Sequence, residues 1–141
     1  MTTYQSEIKT ISSPEEVVFG ILSDLNNLGK LKDDETIKGK LKIVEFNPDS
    51  CLLELNKFGE IGIRIVEKQA NKSIRFEATH LPIDVMADIL LKEIAQNETH
   101  MQIVMHANLP SVLKIMVNKQ LEQGVNILAD LFEKTLNSKL T

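Results

Sequence analysis

The sequence predicts an α+β domain: an antiparallel sheet of about seven strands, then a long C-terminal helix, with two short helices after the first strand. Three observations carry this. Glu60–Glu67 (EIGIRIVE) and Ser73–His80 (SIRFEATH) alternate apolar and polar residues, the pattern of strands with one wet face. From Pro110 to Leu136, Leu113, Met116, Val117, Leu121, Val125, Leu128, Phe132 and Leu136 recur at three- and four-residue steps, which is a helical stripe. Ser13-Pro14-Glu15-Glu16 has the residues of a helix start, with a capping hydroxyl, a proline for the first turn and a capping-box carboxylate.

Taken in order, Tyr4–Ile11 (YQSEIKTI) partly alternates and reads as the first strand. The first short helix follows Pro14, with Val17, Val18, Ile21 and Leu22 at helical spacing. Ser23-Asp24 ends it and opens a second short helix, whose buried side would be Leu25, Leu28 and Leu31 and which Gly29 weakens. The charged run Lys30–Lys40 reads as a solvated loop, with a gate over a cavity entrance as the alternative. Lys40–Phe46 and Cys51–Leu55 are short apolar runs separated by Asn47-Pro48-Asp49-Ser50, a turn. Glu60–Glu67 and Ser73–His80 continue the meander around a turn at Ala70-Asn71-Lys72. The last helix spans about 40 Å at ~1.5 Å per residue, enough to lie across a sheet.

Asp84–Leu109 is ambiguous. Its first half is rich in good helix formers, and Val85, Met86, Ile89, Leu90 and Ile94 fit a helical stripe. The same residues also alternate as a strand would. Two arms of nearly equal length flank the polar turn Gln96-Asn97-Glu98-Thr99, and the second arm alternates through Met101, Ile103, Met105, Ala107 and Leu109. A strand of that length needs a partner, and the preceding segment is the nearest one. A hairpin is the better reading.

Composition narrows the function classes. The chain has 141 residues, 43% hydrophobic and 26% charged, which fits one globular domain over 1–141 with its own core. The net charge of −4 and the absence of a dense basic cluster argue against nucleic acid as a partner. One cysteine, Cys51, allows no internal disulfide, and the polar N-terminus carries no apolar signal core, so a cytoplasmic protein is expected. No run is long enough for a membrane span. There is no P-loop, G-x-G-x-x-G, G-x-S-x-G or H-E-x-x-H, and the three histidines are scattered, so neither a cofactor nor a metal is expected.

The opening SEIKTISSPEEVVFGILSDLNNLGKL and the close ETHMQIVMHANLPSVLKIMVNKQLEQGVNILADLFEKTL resemble the first strand and helix, and the last strand and helix, of the START-like or SRPBCC superfamily. This polyketide cyclase/dehydrase-like group has the helix-grip fold. The resemblance covers nearly the whole chain. It implies a curved sheet wrapped around the C-terminal helix, with a cavity between them, and it makes Asp84–Leu109 the final hairpin. The function implied is binding or carrying an apolar or amphipathic small molecule. A cyclase/dehydratase-like enzyme and a protein-interaction module of the same fold are the alternatives. Val104, and with it Met86 and Leu90, are the apolar residues expected to point outward.

The expected ligand-binding residues are Ile63, Phe76, His80, Ile89, Met101 and Met105 from strands, with Val117, Leu121 and Gly124 from the helix. Apolar strand faces are first of all core, so each has simple packing as its competing reading. His80 is the polar candidate, able to hydrogen-bond a ligand or carry a proton, although a loop-end position before Leu81-Pro82 explains it equally. His100 and His106 have the opposite parity to Met101 and Met105 and should face solvent. Gly124 interrupts the helix at a cost of about 1 kcal/mol relative to Ala. Close approach of another element is the simpler explanation, and room for a ligand is the other. No catalytic set is assigned.

Overall fold

The computed structural model describes residues 2–27, 41–55, 59–79 and 83–139. The strands are β1 (Thr2–Gln5), β2 (Lys9–Ile11), β3 (Leu41–Phe46), β4 (Ser50–Leu55), β5 (Gly59–Gln69), β6 (Ser73–Thr79), β7 (Val85–Ala95) and β8 (Glu98–Ala107). The helices are α1 (Glu15–Leu22) and α2 (Ser111–Lys139). The sheet is antiparallel throughout, in the order β1-β8-β7-β6-β5-β4-β3, with β2 also on β8. Asp84–Leu109 is the hairpin: β7 and β8 pair from Val85↔Ala107 to Ala95↔Glu98. Asn97 closes it with a φ of 56°, and Asn71 does the same at 64° between β5 and β6. Asparagine tolerates this left-handed backbone better than other residues with a Cβ.

Tyr4–Ile11 is two strands rather than one. β1 follows Val104–Ala107 and β2 follows Thr99–Met101. Between them Ser6 holds the break. Its hydroxyl accepts from the Ile103 amide at 2.9 Å, its own amide donates to the Ile103 carbonyl at 2.8 Å, and Gln102 donates to its carbonyl at 3.0 Å. A buried break is tolerated when its backbone groups find such partners. After α1, a 3₁₀ turn over 25–27 begins the expected second helix and buries Leu25; Leu28, Gly29, Leu31 and the Lys30–Lys40 run lie outside the described residues.

α2 lies over β1, β2 and β8, while α1 sits against β6, β7 and β8. The main core forms there, from Tyr4, Ile11, Val18, Ile89, Leu91, Met101, Ile103, Val125, Ala129 and Leu136 among others. A second core lies under Leu25 and contains Ile43, Cys51 and Leu53. Phe76 packs against both. Burial pushes the Cys51 thiol up to about 11. It is expected to resist a thiol reagent at about pH 8 in the folded protein and to react once urea unfolds the chain, because only a thiolate attacks.

Three asparagines fasten α2 to the N-terminal strands. Asn118 accepts from the Tyr4 hydroxyl at 2.7 Å, and Asn126 accepts from the Glu7 amide at 2.9 Å. Asn137 accepts from the Ser12 amide at 2.9 Å and donates to the Thr10 carbonyl at 3.2 Å. Lys9 adds an ion pair to Asp130, whose carboxylate raises the Lys9 ammonium above its ordinary value.

Candidate functional site

Residues directly opposite in an antiparallel ladder share a face. The registers therefore assemble rows across the inner face of the sheet. One row runs Cys51, Ile63, Ala78, Val85, Ala107. The next runs Ile65, Phe76, Ala87, Met105, Tyr4. A third runs Ile74, Ile89, Ile103. The third row is buried. In the second, Ile65, Phe76, Ala87 and Met105 stay half-exposed although all four are apolar. α2 covers the β1–β2–β8 side, so this row runs from Tyr4 and Met105 at the helix out across β7, β6 and β5 as an apolar floor.

The flank of α2 over this floor is the stripe Val117, Leu121, Gly124, Leu128. All four are half-buried, with Leu121 and Leu128 touching the main core. A Cβ at Gly124 would meet no atom within 4 Å. Close approach therefore does not account for this glycine among the described residues, and the space beside it is open.

The expected ligand residues divide accordingly. Ile63, Phe76, Met105, Val117, Leu121 and Gly124 lie on the half-exposed floor or flank. Ile89 and Met101 are 2% and 0% exposed, so both are core in this structure. His80 lies outside the described residues. Two residues not singled out from the sequence join the site. Tyr4 stands beside Met105 in its row and donates its hydroxyl to Asn118, one residue after Val117. The Asn118 amide nitrogen has no partner among the described residues, leaving a donor beside the apolar floor. An unexplained asparagine inside an apolar helical stripe was the available signal, since Asn is a poor helix-interior residue.

The outer face is different in kind. Arg75 forks onto Asp88 at 2.7 and 3.2 Å, and Asp88 reaches His106 at 3.5 Å. His106 in turn meets the Thr3 hydroxyl at 3.2 Å. Hydroxyl, imidazole and carboxylate stand in line, but Thr3 is exposed on the sheet's outer surface and the carboxylate is held by Arg75. This is cross-strand stabilisation of a wet face. His100 shares that face, paired with Lys92 and Thr10. Leu90 is exposed there as expected, whereas Val104, between Asp88 and Gln5, is only 9% exposed. Among the described residues no group of three or more metal-ligating side chains converges.

A polar depression lies where α1 begins, lined by Pro14, Glu15, Glu16, Asn71, Glu93, Gln96 and Asn97. Its carboxylates have a structural task. Pro14 is the cap residue and makes no side-chain cap bond, and the Ser13 hydroxyl turns back to Ser12. Glu93 of β7 takes over, accepting from the Glu15 amide at 3.1 Å, while Glu15 accepts from the Glu93 amide at 3.2 Å and from Lys72 at 2.9 Å. The Lys72 bond first, then the Glu93 amide, hold the Glu15 carboxyl below its ordinary value. A depressed carboxyl stabilises the fold above its unfolded value, and that contribution is lost as pH falls through the folded value. Glu15→Gln is therefore expected to lower the denaturation midpoint at neutral pH, with the two proteins converging as pH falls through the acid range.

No family model and no curated protein matches the chain. Solved structures do match. A START superfamily protein from Mycobacterium smegmatis superposes with a TM-score of 0.63 at 13% identity, over 99% of both chains. A Thermus thermophilus protein gives 0.65 at 13% identity, over 99% of this chain and 100% of that one. The Aha1 dimer structure from Colwellia psychrerythraea gives 0.60 at 16% identity, over 94% and 97%. At these identities the likeness is one of fold. The fold is START-like, an open antiparallel sheet with a long C-terminal helix.

Proposed function

We propose that the protein binds an apolar or amphipathic small molecule between the inner face of the sheet and the Val117–Leu121–Gly124–Leu128 flank of α2. One observation carries this reading. Apolar side chains of the floor remain only partly buried, and a glycine on the flank of the helix leaves open space, although a filled core would bury both. Small-molecule sites are mostly apolar with a few placed polar groups. Tyr4 and Asn118 are those groups here, giving a ligand one hydrogen-bonding head against an otherwise apolar body. The pair is placed to orient such a ligand.

The test is a thermal-shift screen of fatty acids, sterols and polycyclic aromatic polyketides, with native mass spectrometry of protein purified from its own host. A ligand at 100 times its Kd adds about 2.7 kcal/mol of stability. In a chain this size that is an upward shift on the order of 5–10 °C. If no compound shifts the midpoint and the protein from its host carries nothing, the reading is wrong.

A further inference from the structure

The three most exposed large apolar side chains among the described residues lie together at one end of α2. Val112 is 72% exposed, Ile115 84% and Met116 66%. Steps of three and four place them on one helix face. Along the same face the residues then become Lys119, Gln123, Asn126 and Asp130, all polar, and the last two meet Glu7 and Lys9 of the N-terminal segment. The apolar patch is thus confined to the first two turns, where packing against the sheet does not require it.

Its charge is also unusual for the chain. Residues 111–121 carry Lys114 and Lys119 and no carboxylate, in a protein of net charge −4. No acidic residue occupies the first turn, where the helix dipole favours one. Neither lysine has an ion-pair partner among the described residues, whereas Lys9, Lys68 and Lys72 each reach a carboxylate. Apolar side chains flanked by unpaired lysines are what an interfacial helix presents to anionic lipid.

We propose that the first two turns of α2 are a docking surface for an anionic lipid bilayer, with Val112, Ile115 and Met116 entering the interface and Lys114 and Lys119 meeting the headgroups. The local positive charge selects this occupant: a bilayer supplies a continuous negative surface to an exposed apolar ridge flanked by lysines. Leu113 and Val117, half-buried on the adjoining flank, lead from this ridge to the open space at Gly124. A docked molecule would therefore present the mouth of the apolar floor to the lipid. Docking itself does not depend on a ligand being bound and is read separately from it.

The experiment is co-sedimentation of the full chain with vesicles of phosphatidylglycerol and phosphatidylcholine in equal parts, and with phosphatidylcholine alone. Binding to the anionic vesicles is expected, weakened by salt. It should fall about tenfold or more in Ile115→Asp and in the Lys114→Glu/Lys119→Glu double variant. All three side chains are exposed, so circular dichroism should show unchanged folding. A chain that stays in the supernatant with both vesicles overturns the proposal, as does equal binding by Ile115→Asp. A dimer in sedimentation equilibrium that Ile115→Asp dissolves would instead assign the ridge to a second copy, and overturns it too.

Discussion

Met101→Ala is expected to destabilise the protein by about 2–5 kcal/mol, the range for emptying a fully buried site of this size. Met105→Ala, four residues farther along the same strand and on the same face, is expected to cost about 1 kcal/mol or less. The two methionines look alike in the alternation of β8. Met101 stands beside Leu91 and Lys9 beneath α2 and is 0% exposed. Met105 stands beside Ala87 and Tyr4 and is only partly buried. Removing Met101 leaves a cavity that the sheet and helix cannot close. Removing Met105 changes the surface on which the proposed ligand would rest. Ligand affinity should respond in the opposite order: weakened by Met105→Ala, and unchanged in the folded fraction of Met101→Ala. Urea denaturation gives the first comparison and titration with a ligand from the thermal screen the second. Equal destabilisation by both would mean that the floor is closed core.

The difference between these two residues marks how far the sequence could be read. Period-two alternation marked the inner faces of β5, β6 and β8, because facing is a local property of the chain, while the β7–β8 hairpin rested on equal arms, a polar turn and the resemblance. It could not say which part of the inner face the helix would cover. That depends on where α2 is fastened, and α2 is fastened by Asn118, Asn126 and Asn137 to β1, β2 and the chain around them. These contacts are separated by more than a hundred residues in sequence. They turn poor helix formers into docking residues, a role no local pattern shows. The break at Ser6 is illegible for the same reason: it is stable only because β8 supplies Ile103 and Gln102 opposite it. The start of α1 also depends on a distant residue. The sequence offers Ser13 and Glu16 as its cap, and the fold uses Glu93 from β7. Met116 belongs to the periodic stripe of α2 yet is 66% exposed, while its neighbours Leu113 and Val117 are partly buried.

Gly124→Leu is expected to preserve the fold and weaken ligand binding by about tenfold or more, equivalent to ~1.4 kcal/mol. Gly124→Ala is expected to raise stability by about 1 kcal/mol through helix propensity alone. Both follow from the same fact: a Cβ at this position meets nothing within 4 Å. A glycine in the middle of a 29-residue helix weakens it, and here neither a close neighbour nor a left-handed backbone requires one. A methyl group adds helix stability without touching the sheet. An isobutyl group from the same backbone position extends between Leu121 and Leu128 into the space the ligand is proposed to occupy. The pair of substitutions separates two meanings of that space. If it is a ligand's place, leucine blocks binding while both variants remain folded. If it is slack in the packing, leucine adds apolar burial, raises the unfolding midpoint above that of alanine and leaves the affinity measured in the thermal screen where it was. Urea titration of the three proteins beside a binding isotherm for each decides between them.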